Sequence, residues 1–147
     1  MSTTGLVTFD KMLQVTNLWL NDLSAELGWD DKHKSLQVLR ATLHTLRDRL
    51  SVDQASKLSA QLPVLLVGFF YEDWKPATMP HKGRTKEAFL SHIDAQFQQL
   101  ELEVDTEQAV RAVFKLIATK ISLGEVEDIK SMLPKPLKAL WPVRSLA

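Results

Sequence analysis

Apolar positions along the chain fall into stripes with helical spacing. Leu36, Leu39, Leu43, Leu46 and Leu50 step by threes and fours, which places one face of an amphipathic helix on a core. Val110, Val113, Phe114, Ile117 and Ile121 form a second such stripe. Upstream, Phe9, Met12, Leu13, Leu20, Leu23 and Leu27 predict a first long helix that stops at Gly28, a residue suited to the left-handed turn that ends helices. Another helix is predicted from Thr85, with Phe89, Leu90, Ile93, Phe97 and Leu100 inside. "PVLLVGFF" alone could pass for a buried strand, but its counterpart "PKPLKALW" spaces Leu137, Leu140 and Trp141 as a helix does. No stretch carries a convincing strand pattern.

One phrase is written twice. "SVDQASKLSAQLP", from Ser51 to Pro63, recurs in outline as "SLGEVEDIKSMLP", from Ser122 to Pro134. At this offset of 71 residues Gln37 meets Gln108, Arg40 meets Arg111, Ala41 meets Ala112, and Leu66 meets Leu137. Self-similarity at one fixed offset marks a repeated unit. Ser51-x-x-Gln54 and Ser122-x-x-Glu125 both fit a capping box at a helix start. Asp30 or Asp31, and Asp105, are placed to cap the second helix of each copy. Pro63 and Pro134 end the short capped helix and suit the first turn of the next. Upstream of Gln37 the match fades, as if the first copy were about one turn longer.

These readings predict an all-α fold: a tandem duplication of a four-helix unit, about eight helices in a compact bundle. The chain is expected to be one domain over residues 1–147, with repeats at 8–74 and 85–142. The joining segment, 75–84, holds two prolines and a glycine in "KPATMPHKGR", which break helices.

"LSAQLP" (Leu58 to Pro63), "FFYEDWKP" leading into "KEAFLSHI" (Phe69 to Ile93) and a second copy ending in "LPKPLKALW" together resemble the bacterial domain-of-unknown-function 2267 family. The resemblance covers nearly the whole chain. It implies a small all-helical bacterial protein and brings no functional residues with it.

Composition narrows the function classes. The formal net charge of the 147 residues is zero, so no global field steers the chain to nucleic acid or membrane. There is no cysteine, hence no disulfide, thiolate metal site or cysteine nucleophile; this suits a cytoplasmic location. "MSTTGLVTFDK" lacks the basic start and apolar run of a secretory signal. The most apolar run, Leu62 to Tyr71, holds both a proline and a glycine and is about half the length a bilayer span needs. A soluble protein without membrane contact is expected.

Chemistry-bearing motifs are absent. His33, His44, His81 and His92 include no pair three or four apart, so no zinc site of familiar spacing is present. The carboxylates at Glu101, Glu103, Asp105 and Glu107, and at Glu125, Glu127 and Asp128, sit where they complement helix N-termini. There is no nucleophile elbow, Walker loop or dinucleotide fingerprint. No catalytic residue, metal or cofactor is expected, and the chain reads as a non-enzyme.

Three surfaces remain as candidates. Lys75, His81, Lys82, Arg84 and Lys86 form a basic run without an acid, leaving the other 135 residues with a net charge of −4; the run enters a helix at Thr85, in outline an anion site. Phe69, Phe70, Tyr71 and Trp74 form a candidate partner surface, because "VLLVGFFYEDW" is more apolar than its counterpart. Cover by the second repeat, or by another chain, is expected over that segment. Arg40, His44 and Arg47, with the recurring Arg111, form a basic helix face of the kind a groove reader presents, unless the repeated Arg bridges to a neighbouring helix or carbonyl. The leading expectation is a helical interaction module that binds a protein partner or forms a homodimer. The alternative is nucleic-acid or anion binding through the basic linker, 75–86.

Overall fold

The computed structural model describes residues 3–142. Among them are eight α-helices and no strand: α1 (Val7–Leu27), α2 (Lys32–Arg47), α3 (Val52–Ser59), α4 (Val64–Phe70), α5 (Lys86–Gln99), α6 (Thr106–Lys120), α7 (Leu123–Met132) and α8 (Lys135–Lys138). The joining segment contributes one 3-10 turn, Pro76–Thr78. The all-α bundle expected from the stripes is the observed architecture.

Local chemistry sets the helix boundaries. Asp31 caps α2 by accepting from the His33 and Lys34 amides, and Asp105 caps α6 by accepting from Gln108. Ser51 and Ser122 each complete a capping box, with the Gln54 and Glu125 side chains reaching back to the serine amides. Thr85 caps α5 through Ala88. These bonds satisfy amides that otherwise have no partner in a first helical turn. At the other end, α1 stops at Gly28, which adopts a left-handed φ of 70°.

Helix packing crosses between the halves. The second helix of each half lies against the first helix of the other: α2 packs on α5 and α6 on α1, besides α1 on α2 and α5 on α6. Leu39, Leu43, Leu46, Leu50, Val110, Val113, Phe114 and Ile117 are fully buried at the centre. Two hydrogen bonds between polar groups join helices there: the Ser24 and Ser35 hydroxyls join α1 to α2 at 2.7 Å, and Gln96 of α5 donates to Thr45 of α2 at 2.9 Å, whereas the Thr42 hydroxyl is buried without a partner among the described residues. No helix among the described residues is long and apolar enough to cross a membrane.

Two expectations need correction. α4 is covered chiefly by α1 and α2, helices of its own half, rather than by the second repeat. An apolar run of seven residues is buried on one face by its neighbours in the chain, so its excess needs no distant cover. The predicted stripe on α1 also fails at its start. Phe9 and Leu13 are 52% and 39% exposed, while Leu20 and Leu23 on the same stripe are buried. α1 is seven residues longer than α5, about two turns, and those turns project past the helices that cover the rest.

Candidate functional site

The basic face of α2 is turned to the end of α4. A helix leaves its last carbonyls without internal partners, and two side chains of α2, His44 and Arg47, reach carbonyls at and just past the end of α4. His44 shares a 2.6 Å hydrogen bond with the Phe69 carbonyl through Nε2. Arg47 donates through Nη1 to the carbonyls of Phe70 and Glu72, at 2.7 and 2.6 Å, and through Nε to Asp48. Arg40 forms a two-pronged pair with the Glu72 carboxylate at 3.1 and 2.9 Å and lies over the Phe69 ring. Burial holds the His44 imidazole below the usual histidine range; Arg47 and Arg40 add to this, against the pull of the Phe69 carbonyl and Glu72. Arg47, 3% exposed, has no surface to offer a nucleic acid. Arg111 likewise spans to a neighbouring helix, donating to the Ala139 carbonyl and pairing with Glu107.

The candidate partner surface is mostly committed too. Phe70 is fully buried and cannot contact a partner. Phe69, Tyr71 and Trp74 are half-buried against the core. The Tyr71 hydroxyl bonds Ser59 at 2.7 Å, and its ring packs on Phe70 and Trp74 with centroids 5.0 Å away. These rings pin the chain where it leaves α4.

The basic linker splits. Lys86 pairs with Glu107 at 3.0 Å, and hydrogen bonds from Lys86 and Arg111 draw the Glu107 carboxyl below its ordinary value. His81 is exposed, and its backbone amide donates to the Asp48 carbonyl. Lys75, Lys82 and Arg84 are exposed cations with no ionic partner among the described residues. Beneath the linker lies Arg49, 1% exposed, whose importance the sequence did not signal. Its Nε donates to the Gly83 carbonyl at 2.9 Å, Nη1 to Thr45, and Nη2 reaches His92 Nδ1 at 3.4 Å.

Two shallow grooves flank the bundle where the halves cross. One, about 200 Å³, combines His33, Gln37, Arg40, Ala41 and His44 of α2 with Gln96 and Leu100. The other, about 310 Å³, combines Val104, Gln108, Arg111, Ala112 and Lys115 with Glu26 and Leu27. The first five residues of each stand 71 positions apart, and Gln-x-x-Arg-Ala lines both grooves. Ion pairs already engage the cations of both walls: Arg40 with Glu72, Arg111 with Glu107, and Lys115 with Glu26 at 2.7 Å. No group of three or more metal-capable side chains gathers among the described residues.

The surface that the pattern misassigned is the start of α1. Val7, Phe9, Leu13 and Val15 are 64%, 52%, 39% and 42% exposed. Beside them Met12, Val15, Pro63 and Val64, with Lys11 at the edge, line an apolar hollow of about 270 Å³. Periodicity placed Phe9 and Leu13 on the correct face of α1 but could not tell that the covering helices stop short.

A family model described as "Uncharacterized conserved protein (DUF2267)" matches residues 16–140, and the chain belongs to that family. The match begins at Thr16, the first buried residue of α1. No curated protein matches the chain.

Proposed function

We propose that this member of the family is a non-enzymatic helical interaction module, and that its first partner is a second copy of itself, docked through the projecting start of α1. The exposed Phe9 and Leu13, which continue the buried stripe of Leu20 and Leu23, carry this reading. Single exposed apolar side chains need no explanation, but an apolar helix face joined to an apolar hollow does. In a two-fold pairing each copy contributes the same patch. Phe9 of one copy is then the projection, and Met12, Val15, Pro63 and Val64 of the other form the recess. From Leu6 to Leu20 the chain holds two charges, Asp10 and Lys11, of opposite sign; an antiparallel pairing therefore sets no run of like charges face to face. Engagement of the groove cations with carboxylates of the same chain supports the non-enzymatic part.

Sedimentation equilibrium tests it, on the wild type and on Phe9→Glu and Leu13→Glu. The expected result is a wild-type dimer and monomeric variants with unchanged helical circular dichroism. A wild type that stays monomeric up to about 1 mM, where the association energy is only about 4 kcal/mol, overturns it.

Lys75, Lys82 and Arg84, free of ion pairs among the described residues, support nucleic-acid or anion binding by the linker as a second reading. Phosphate contacts release counterions, so affinity for a DNA or RNA oligomer is then expected to collapse between about 50 and 200 mM salt. Binding that is flat with salt ends that reading.

A further inference from the structure

We propose that Arg49, His81 and His92 form an acid-sensitive clasp, which fastens the 75–84 linker to the bundle at neutral pH and releases it when the two imidazoles are protonated. Gly83 is gripped at both of its backbone groups. Its carbonyl accepts from the buried Arg49 Nε at 2.9 Å, and its amide donates to His81 Nδ1, also at 2.9 Å. The His81 ring lies so close over Gly83 that a Cβ there would meet it at 3.3 Å. His81 packs edge-on to His92 with ring centroids 5.7 Å apart, and His92 Nδ1 faces Arg49 Nη2 at 3.4 Å. The clasp thus ties the end of α2, the linker and α5 together.

Donor and acceptor roles here leave no choice of protonation state. A guanidinium nitrogen and a backbone amide can only donate. Both imidazoles must therefore present an unprotonated Nδ1, with the hydrogen on Nε2. Protonation converts each Nδ1 to a donor aimed at another donor: the His81–Gly83 bond that folds the linker and the His92–Arg49 bond from α5 to the end of α2 are both lost, and two cationic rings stand edge-on where the linker meets α5. Histidine is the side chain that makes this change between about pH 5 and 8.

The surrounding charges set the direction of the response. From the end of α2, His92 is faced by Arg49 and by Asp48, whose carboxylate Arg47 already engages. From the linker it is faced by His81, with Lys82 and Arg84 exposed in the same loop. α5 adds Gln96 one turn on, a neutral side chain that holds Thr45. A proton on His92 thus adds a cation beside a buried cation, with one already engaged carboxylate near. Partial burial, then Arg49 and His81, hold the His92 imidazole below its ordinary range, against Asp48. Both histidines reach the surface, so protons have access.

Amide exchange of the full chain, followed by ¹⁵N NMR and corrected for intrinsic rates, tests the clasp. The His81 and Gly83 amides both donate in the closed state, and the Leu43 amide serves as a core reference. Protection at His81 and Gly83 is expected to be lost as the pH falls below about 6.5, while Leu43 keeps its own. A double variant, His81→Asn with His92→Asn, places a carboxamide oxygen where each Nδ1 lies, an acceptor that does not titrate in this range. It is expected to keep the linker closed at acid pH. Wild-type linker protection that survives at the acid end overturns the proposal. So does a double variant that opens with the wild-type midpoint, or one whose linker is already open at neutral pH while Leu43 stays protected.

Discussion

Gly28 and Glu101 occupy the same place in two helix endings, with left-handed φ angles of 70° and 57°. After α1, the Trp29 amide returns to the Ser24 carbonyl and Gly28 to Ala25; after α5, Leu102 returns to Phe97 and Glu101 to Gln98. This is the Schellman arrangement, built once with the residue suited to it and once with a glutamate. A left-handed conformation costs an L-residue roughly 1–2 kcal/mol, whereas glycine loses more backbone entropy on folding. Glu101→Gly is therefore expected to stabilise the fold by about 0.5–1 kcal/mol net in urea unfolding. An unchanged or lower midpoint refutes the strain assigned to Glu101.

Arg47 is the main polar support of the α4 terminus, since it alone bonds two of its carbonyls. Removing the guanidinium leaves those acceptors buried without a donor, at about 1–3 kcal/mol each. Arg47→Ala is expected to lower stability by at least about 2 kcal/mol, and Arg47→Lys to restore only part of this because an ammonium cannot reproduce the fork. Chemical denaturation of the two variants checks it; a near-neutral Arg47→Ala places α4 under other control.

Along α1, the same kind of substitution should have two costs. Leu20→Ala opens a cavity in a buried stripe and is expected to cost about 2–5 kcal/mol. Phe9→Ser, on the projecting turns, should stay within about 0.5 kcal/mol in the monomer. Thermal unfolding at low protein concentration separates the two, and equal costs would mean that the projecting turns are covered.

Acid should weaken the fold in two steps. His44 and His92 have folded pKa values below the unfolded one, so the unfolded chain binds more protons as pH falls. Their contribution is complete above about pH 6.5 and is lost as pH drops below it. Glu107, also lowered, contributes above about pH 4.3 and loses that contribution below it. Urea midpoints across this range are expected to fall first in the histidine window. His44→Gln, which keeps a donor for the Phe69 carbonyl, should flatten that first step. An identical slope in the variant removes His44 from it.

Much of the fold was legible in the sequence because its signals are local. Caps need a hydroxyl or carboxylate within three residues of an amide, so Ser51, Thr85, Asp105 and Ser122 could be read directly, and Asp31 as one of two choices with Asp30. A buried stripe needs only a period, and Leu39, Leu43 and Leu46 kept it. The same locality explains the failures. Periodicity says which way Phe9 and Leu13 point, but whether anything lies there depends on helices far along the chain. Charge along a helix says that Arg40, His44 and Arg47 share a face; only packing decided that this face meets the carbonyl end of α4 instead of solvent. Arg49 gave no sign at all, because a buried guanidinium is stabilised by carbonyls and rings that tertiary structure alone brings to it. The sequence by itself determined where helices begin, end and turn their apolar sides. Tertiary structure decided which of those sides are covered, which cations are already engaged, and how the linker is held, since each depends on groups distant in sequence meeting at hydrogen-bonding range.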